Sequence, residues 1–134
     1  MADMTIKQVE DMEAIFYGSF KRAGAELELG SFGMNVIDFP PESGEGVYPE
    51  HDHADVGEEE VYLAWRGSGT LTVEGEEIAL DQDTIVRVSP STKRKVRSGP
   101  EGLRLLVLGG VPGAVYERRE RYVLGAPDPA KQQA

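Results

Sequence analysis

Cysteine is absent from this chain of 134 residues. That excludes disulfide bridges, thiolate metal sites and cysteine nucleophiles together. Histidine is nearly as scarce: there are 2, both in one short stretch, so any imidazole chemistry must take place there. Basic residues are in deficit, with 14 Lys and Arg against 24 Asp and Glu and a formal net charge of −10. A phosphate backbone repels such a surface, which argues against general nucleic-acid binding. Long apolar runs are missing as well. The opening MADMTIKQVEDMEAIF carries acids early, and the most apolar later stretch, Leu103 to Val115, is interrupted by Gly109, Gly110, Pro112 and Gly113. Neither a secretory signal nor a membrane span is readable, and the expected location is the cytoplasm.

The length suits one domain with a single core or a small barrel, and no internal repeat is visible. Charge is unevenly placed. Glu42 to Glu60 holds eight acids and no Lys or Arg, whereas Arg87 to Arg104 holds six basic residues against the single acid Glu101. Most of these residues read as solvated faces, the exceptions being those that face the interior.

Both histidines lie in PEHDHADVGEEEVYLAWRGSG, Pro49 to Gly69. In an extended chain successive side chains alternate faces, so His51 and His53 point one way and Glu50 and Asp52 the other. In the strand that follows, Glu60, Tyr62 and Ala64 share a face, opposite Val61, Leu63 and Trp65. Two imidazoles and a carboxylate suit Fe(II), Mn(II), Zn(II) or similar ions and leave positions open for water or substrate. Spacing alone favours solvated histidines; the rest of the chain changes the balance.

Residues 1–31 read as an N-terminal extension, with Val9, Met12 and Phe16 at roughly helical spacing and FKRAGAELEL either a short helix or irregular. Strands are expected at Phe32–Phe39, Val47–His53, Glu59–Arg66, Thr70–Val73, Glu76–Leu80, Thr84–Val88, Lys93–Arg97 and Leu103–Leu108. Turns are expected at Arg66–Gly69, Glu74–Gly75, Asp81–Asp83 and Ser98–Gly102. Many short strands with turns between them indicate an antiparallel sandwich or barrel over 32–110. Residues 111–134 form a C-terminal arm, helical or extended, with a fraying Pro/Ala/Gln tail. Tyr62 and Ala64 on one face and Val61, Leu63 and Trp65 on the other leave the central strand without a polar face after Glu60. Whichever set lies outside the barrel therefore requires cover from a terminal segment or from a second subunit, and a homodimer is expected.

HDH, then Glu60, then six residues, then Gly67 resembles the first motif of the cupin family, in which two histidines and a glutamate on barrel strands bind a metal. Asp83 to Arg94 resembles the second motif, with Ser89–Ser91 where that motif carries Pro-x-Gly. The resemblance covers about Phe32 to Leu108. It implies an all-β fold, an antiparallel jelly-roll barrel with a central cavity, and His51, His53 and Glu60 as ligands of a divalent metal such as Fe, Mn, Zn or Ni.

Several positions depart from the pattern. The gap between His53 and Glu60 is longer than usual, which makes Glu59 a competitor, though the spacing to Gly67 selects Glu60. The glycines that open the two motifs are replaced at Glu45, beside Gly46, and at Asp83. Arg94 stands where the family supplies a third histidine, and a guanidinium has no lone pair to give a metal. Arg94 either pairs with Glu60 in a metal-free pocket, turns to solvent beside Lys93 and Lys95, or clamps a ligand anion.

The leading reading is a small-molecule-binding barrel with Tyr62 and Arg94 toward the ligand. The alternatives are a metal-dependent oxygenase or isomerase acting on a small anionic substrate, and a metal-free, non-catalytic binding module. The fold does not choose among them. GEGV and GGVPG lack the lysine and context of a phosphate loop, and Ser68, Ser89 and Ser91 lack that of a nucleophile elbow.

Overall fold

The computed structural model describes residues 2–44 and 48–131. One antiparallel sheet carries the chain: β1 (Ala14–Ile15), β2 (Phe20–Lys21), β3 (Gly33–Phe39), β4 (Glu59–Val73), β5 (Glu76–Leu80), β6 (Ile85–Val88) and β7 (Arg94–Gly110), with a single helical turn, α1 (Ala23–Glu26). The order across the sheet is β1-β2-β3-β7-β4-β5, and β6 also pairs with β4. No helix among the described residues is long and apolar enough to cross a membrane.

Two strands are much longer than expected: β4 runs for 15 residues and β7 for 17. The turns anticipated at Arg66–Gly69 and Ser98–Gly102 are bends inside these strands. The physical reason lies in the pairing. β4 pairs with β6 over Glu60–Leu63 and with β5 over Gly69–Val73, while β7 accompanies it on both sides of the bend. Register shifts between Ala64/Arg66 and Gly67/Gly69 absorb the change of direction as bulges, the device by which a sheet turns a barrel corner. The hairpin at Glu74–Gly75 forms as expected, with both residues at positive φ (50° and 83°), as a tight two-residue loop demands.

Alternation along β4 holds where it was read. Glu60, Tyr62 and Ala64 are buried inside the barrel, Val61 and Leu63 are half-buried outside, and Trp65 is exposed with the Arg104 guanidinium 5.2 Å from its ring centre. Leu71 further along β4 and Ile37, Val96 and Leu105 from the neighbouring strands pack into the same interior. Residues 48–53 do not form a regular strand; Tyr48 and His51 instead hydrogen-bond to Val96 and Arg94 at the start of β7, and His53 to Pro90 in the turn before it. The expected strand start at Val47, the motif positions Glu45 and Gly46, and the tail residues 132–134 lie outside the described residues.

FKRAGAELEL does contain a short helix, α1, but the stretch from Val9 to Phe16 is not the helix its spacing suggested. It makes one 3-10 turn at Val9–Asp11 and then enters the β1–β2 hairpin, which extends the sheet beyond β3. The C-terminal arm crosses back over this hairpin and is fastened to it. Arg22, almost wholly buried, donates to Glu13 at 2.8 Å and to the carbonyl of Ala126 at 2.9 Å. Glu13 also accepts from Gly125 N at 2.9 Å, and Phe16 N donates to Asp128 at 3.1 Å. Phe20 and Tyr122 stack at 5.6 Å.

The hydrogen bond from Arg22, and then that from Gly125, hold the Glu13 carboxyl below its ordinary value of 4.5. A depressed carboxyl contributes stability above its unfolded pKa and loses it as pH falls through the folded one. Cleavage within 111–131 by an acid-active protease is therefore expected to accelerate as the pH drops below about 4.5, and Glu13→Gln should flatten that dependence. An unchanged profile in the variant would assign the effect to other carboxylates.

Candidate metal centre

The barrel opens on a cavity of about 550 Å³, whose lining includes His51, His53 and Glu60. These three residues reach it from different elements: the two histidines from the segment bonded to the start of β7 and the turn before it, and Glu60 from the second residue of β4. Among the described residues they are the group of three whose donor atoms lie within 4.8 Å of one another. Ligand atoms on metal bonds of 2.0–2.2 Å are separated by roughly 3 Å, so small side-chain movements would close the set.

Each member is prepared for the task. His51 Nδ1 lies 2.7 Å from the carbonyl of Pro49. A carbonyl only accepts, so Nδ1 carries the hydrogen and the Nε2 lone pair is free. Burial, followed by the neighbouring His53, lowers the His51 pKa and keeps the ring neutral, the form that binds metal. His53 Nε2 is 3.0 Å from Glu60 Oε1, and its ring meets that of His51 edge-on at 4.9 Å. Burial alone would push the Glu60 carboxyl up, but the His53 contact, the Tyr62 hydroxyl and the Arg94 charge outweigh it and hold the group below the ordinary carboxylate value. Glu60 Oε1 accepts from Tyr62 Oη at 2.5 Å and from Tyr48 Oη at 3.3 Å. Burial and the adjacent Glu60 raise both phenols, so they remain donors. The chemistry of the donor set thus fits a divalent cation: two imidazoles and one ionised, immobilised carboxylate.

Glu59, the competitor, faces the other way and pairs with Arg87 at 2.6 Å on the outside. Tyr62 and Arg94 are buried at 0 % exposure, and neither is among the residues lining the cavity. Arg94 has not turned to solvent, and no described carboxylate lies within 4.0 Å of it. Its backbone exchanges two hydrogen bonds with His51, and its Nη2 donates to the carbonyl of Ser89 at 2.9 Å. Its Nε and Nη1 have no hydrogen-bond partner among the described residues.

Four residues near the centre were not singled out from the sequence. Tyr48 donates to Glu60, and Glu58 is raised by burial and by Glu60; the period-2 relation of Glu58 to Glu60 was a legible signal for the second. Arg119 and Arg121 line the cavity from the C-terminal arm, and nothing local announces them.

No family model and no curated protein matches the sequence. Solved structures do match. A cupin protein from Bacteroides fragilis superposes with a TM-score of 0.66 at 21% identity, over 89% of this chain and 93% of that one. An RmlC-like cupin from Desulfovibrio desulfuricans gives 0.52 at 20% identity, over 60% and 73%. The cupin 2 domain of an XRE family transcriptional regulator from Enterobacter cloacae gives 0.52 at 20% identity, over 68% and 87%. Together with the antiparallel barrel, these likenesses establish that this chain has the cupin fold.

Proposed function

We propose that the protein binds a small molecule in the barrel cavity at a divalent metal held by His51, His53 and Glu60. The observation that carries this reading is the convergence of those three donor sets, within 4.8 Å, on a cavity large enough for a small organic ligand. A metal bound there would supply Lewis acidity and open coordination positions. The chain's own residues supply the rest. Tyr62 and Tyr48 fix the orientation of the Glu60 carboxylate, and the buried Arg94, which does not line the cavity, favours its ionised form. In this reading Tyr62 and Arg94 influence a ligand through Glu60.

Elemental analysis of untagged protein, with equilibrium dialysis against Zn(II), Mn(II) and Fe(II), tests the assignment. Stoichiometric metal in the native protein and its loss in His51→Ala/His53→Ala is the expected result. Metal retained by the double variant, or absent from the native protein under every condition, would refute it. The second outcome would favour a metal-free module, a reading supported by the closed His53–Glu60–Tyr62–Tyr48 hydrogen-bond network.

A further inference from the structure

We propose that the mouth of the cavity recognises a small organic carboxylate, with Arg119 and Arg121 taking its charged group and Phe16, Phe20 and Tyr122 taking an aromatic or apolar body. This deepens the metal-site reading, on which it rests only for what the ligand meets at the cavity floor. All five residues line the same cavity as His51, His53 and Glu60.

The two arginines are the first support. Arg119 Nη1 lies 3.4 Å from His53 Nδ1, and its guanidinium sits 5.8 Å from the Tyr122 ring centre. It therefore bridges the floor and the aromatic wall. Its carboxylate partner, Asp55, is 3.7 Å away and largely exposed, a contact that a ligand anion can replace at little cost. Arg121 has no described carboxylate within 4.0 Å. Of the other two acids on the lining, Asp52 accepts from Ala54 N at 3.1 Å, and Glu60 is engaged by His53 and Tyr62. In a protein of net charge −10, two guanidiniums directed at one cavity are poorly explained by solubility. They match the planar, bidentate demands of a carboxylate.

The aromatic wall is the second support. Phe16 and Tyr17, at the tip of the β1–β2 hairpin, both adopt positive φ (55° and 59°), where bulky residues are outliers. Such conformations persist where surrounding contacts hold them, and they collect at ligand clamps. Here the holding contacts are visible: Phe16 N donates to Asp128 of the arm, and Ser19 Oγ donates to the Phe16 carbonyl at 2.7 Å. Both strained residues line the cavity, and Tyr17 is 88% exposed. Phe16 and Phe20 meet edge-on at 6.1 Å, and Phe20 stacks on Tyr122, forming a continuous apolar wall beside the arginines.

The test uses benzoate, benzyl alcohol and Mn(II) as separate probes of the full-length protein. Binding is followed by chemical-shift perturbation for the organic probes and by electron paramagnetic resonance for Mn(II). Benzoate is expected to bind about tenfold more tightly than benzyl alcohol, and Arg121→Gln and Arg119→Gln/Arg121→Gln to weaken benzoate by about tenfold or more while leaving benzyl alcohol unchanged. Equal affinity for the two organic probes, undiminished benzoate binding in the double variant, or no benzoate binding at millimolar concentration would each overturn the proposal. Arginine-dependent benzoate binding in a protein that takes up none of Mn(II), Zn(II) and Fe(II) would leave this proposal standing and remove the metal reading instead. Arg121 is exposed, so its substitution does not threaten the fold.

Discussion

Arg94→His is expected to tighten divalent-metal binding by about a hundredfold or more. The fixed guanidinium is buried beside the candidate ligands, and its charge reaches both His51 and Glu60. At a separation of ~6 Å and an effective dielectric near ~20, it would repel a divalent cation by several kcal/mol. Relief of even about 2.7 kcal/mol corresponds to about two orders of magnitude in affinity. The substitution also installs a third imidazole next to the first. Residues 51 and 94 exchange a pair of backbone hydrogen bonds at 2.8 and 2.9 Å, the arrangement in which two opposed residues project their side chains to the same side. The guanidinium donors without protein partners disappear at the same time. Competition with a chromophoric chelator for Zn(II) reads the affinity directly. A folded variant whose affinity is unchanged or weaker would mean that Arg94 does not oppose a cation at His51, His53 and Glu60.

Gly67→Ala is expected to destabilise the protein by about 3–4 kcal/mol, a fall of about 10 °C in melting temperature for a domain of this size. Two penalties coincide at this residue. Its φ is +76°, and a Cβ there would lie 2.2 Å from the carbonyl oxygen of Gly102. The obstacle is backbone, fixed by β7 on the other side of the bend, and cannot rotate aside. Gly102 is itself at φ +83° with the Phe39 carbonyl behind it, so the strain would pass to a third strand. Gly75→Ala is the control. Its φ is +83° but nothing lies within 4 Å, so only the conformational cost of about 1 kcal/mol applies. Similar melting temperatures for the two variants would show that the close approach at Gly67 costs nothing.

Gly67 also shows how far a residue pattern can be followed. RGSG was legible as a change of direction, since glycine supplies the positive φ that tight geometry requires. Whether the chain reverses there or only bends depends on the partner strand. β7 supplies hydrogen bonds on both sides of Gly67, so the chain continues as one strand. The same argument explains Ser98–Gly102. By contrast, the loop at Glu74–Gly75 is specified within its own residues, and it formed as read.

The site divides along the same line. Glu60 was distinguishable from Glu59 by its six-residue spacing to Gly67, and alternation in a strand, a property of adjacent residues, put it on one face with Tyr62 and Ala64. His51 and His53 were conspicuous because the chain has 2 histidines and no cysteine. Arg94 was recognised as a substitution, but its full burial away from the cavity lining was not foreseen, because where a long side chain ends depends on how the surrounding strands pack.

What lay outside any local pattern is the rim. Arg119 and Arg121 reach the cavity because the C-terminal arm is fastened across the β1–β2 hairpin by contacts between residues more than a hundred positions apart, Arg22 with Ala126 and Phe16 with Asp128. Periodicity, turn chemistry and ligand spacing are written over a few neighbouring residues and can be read there. The meeting of two chain ends over a barrel mouth is set by packing and buried hydrogen bonds, which exist only once the intervening strands have folded.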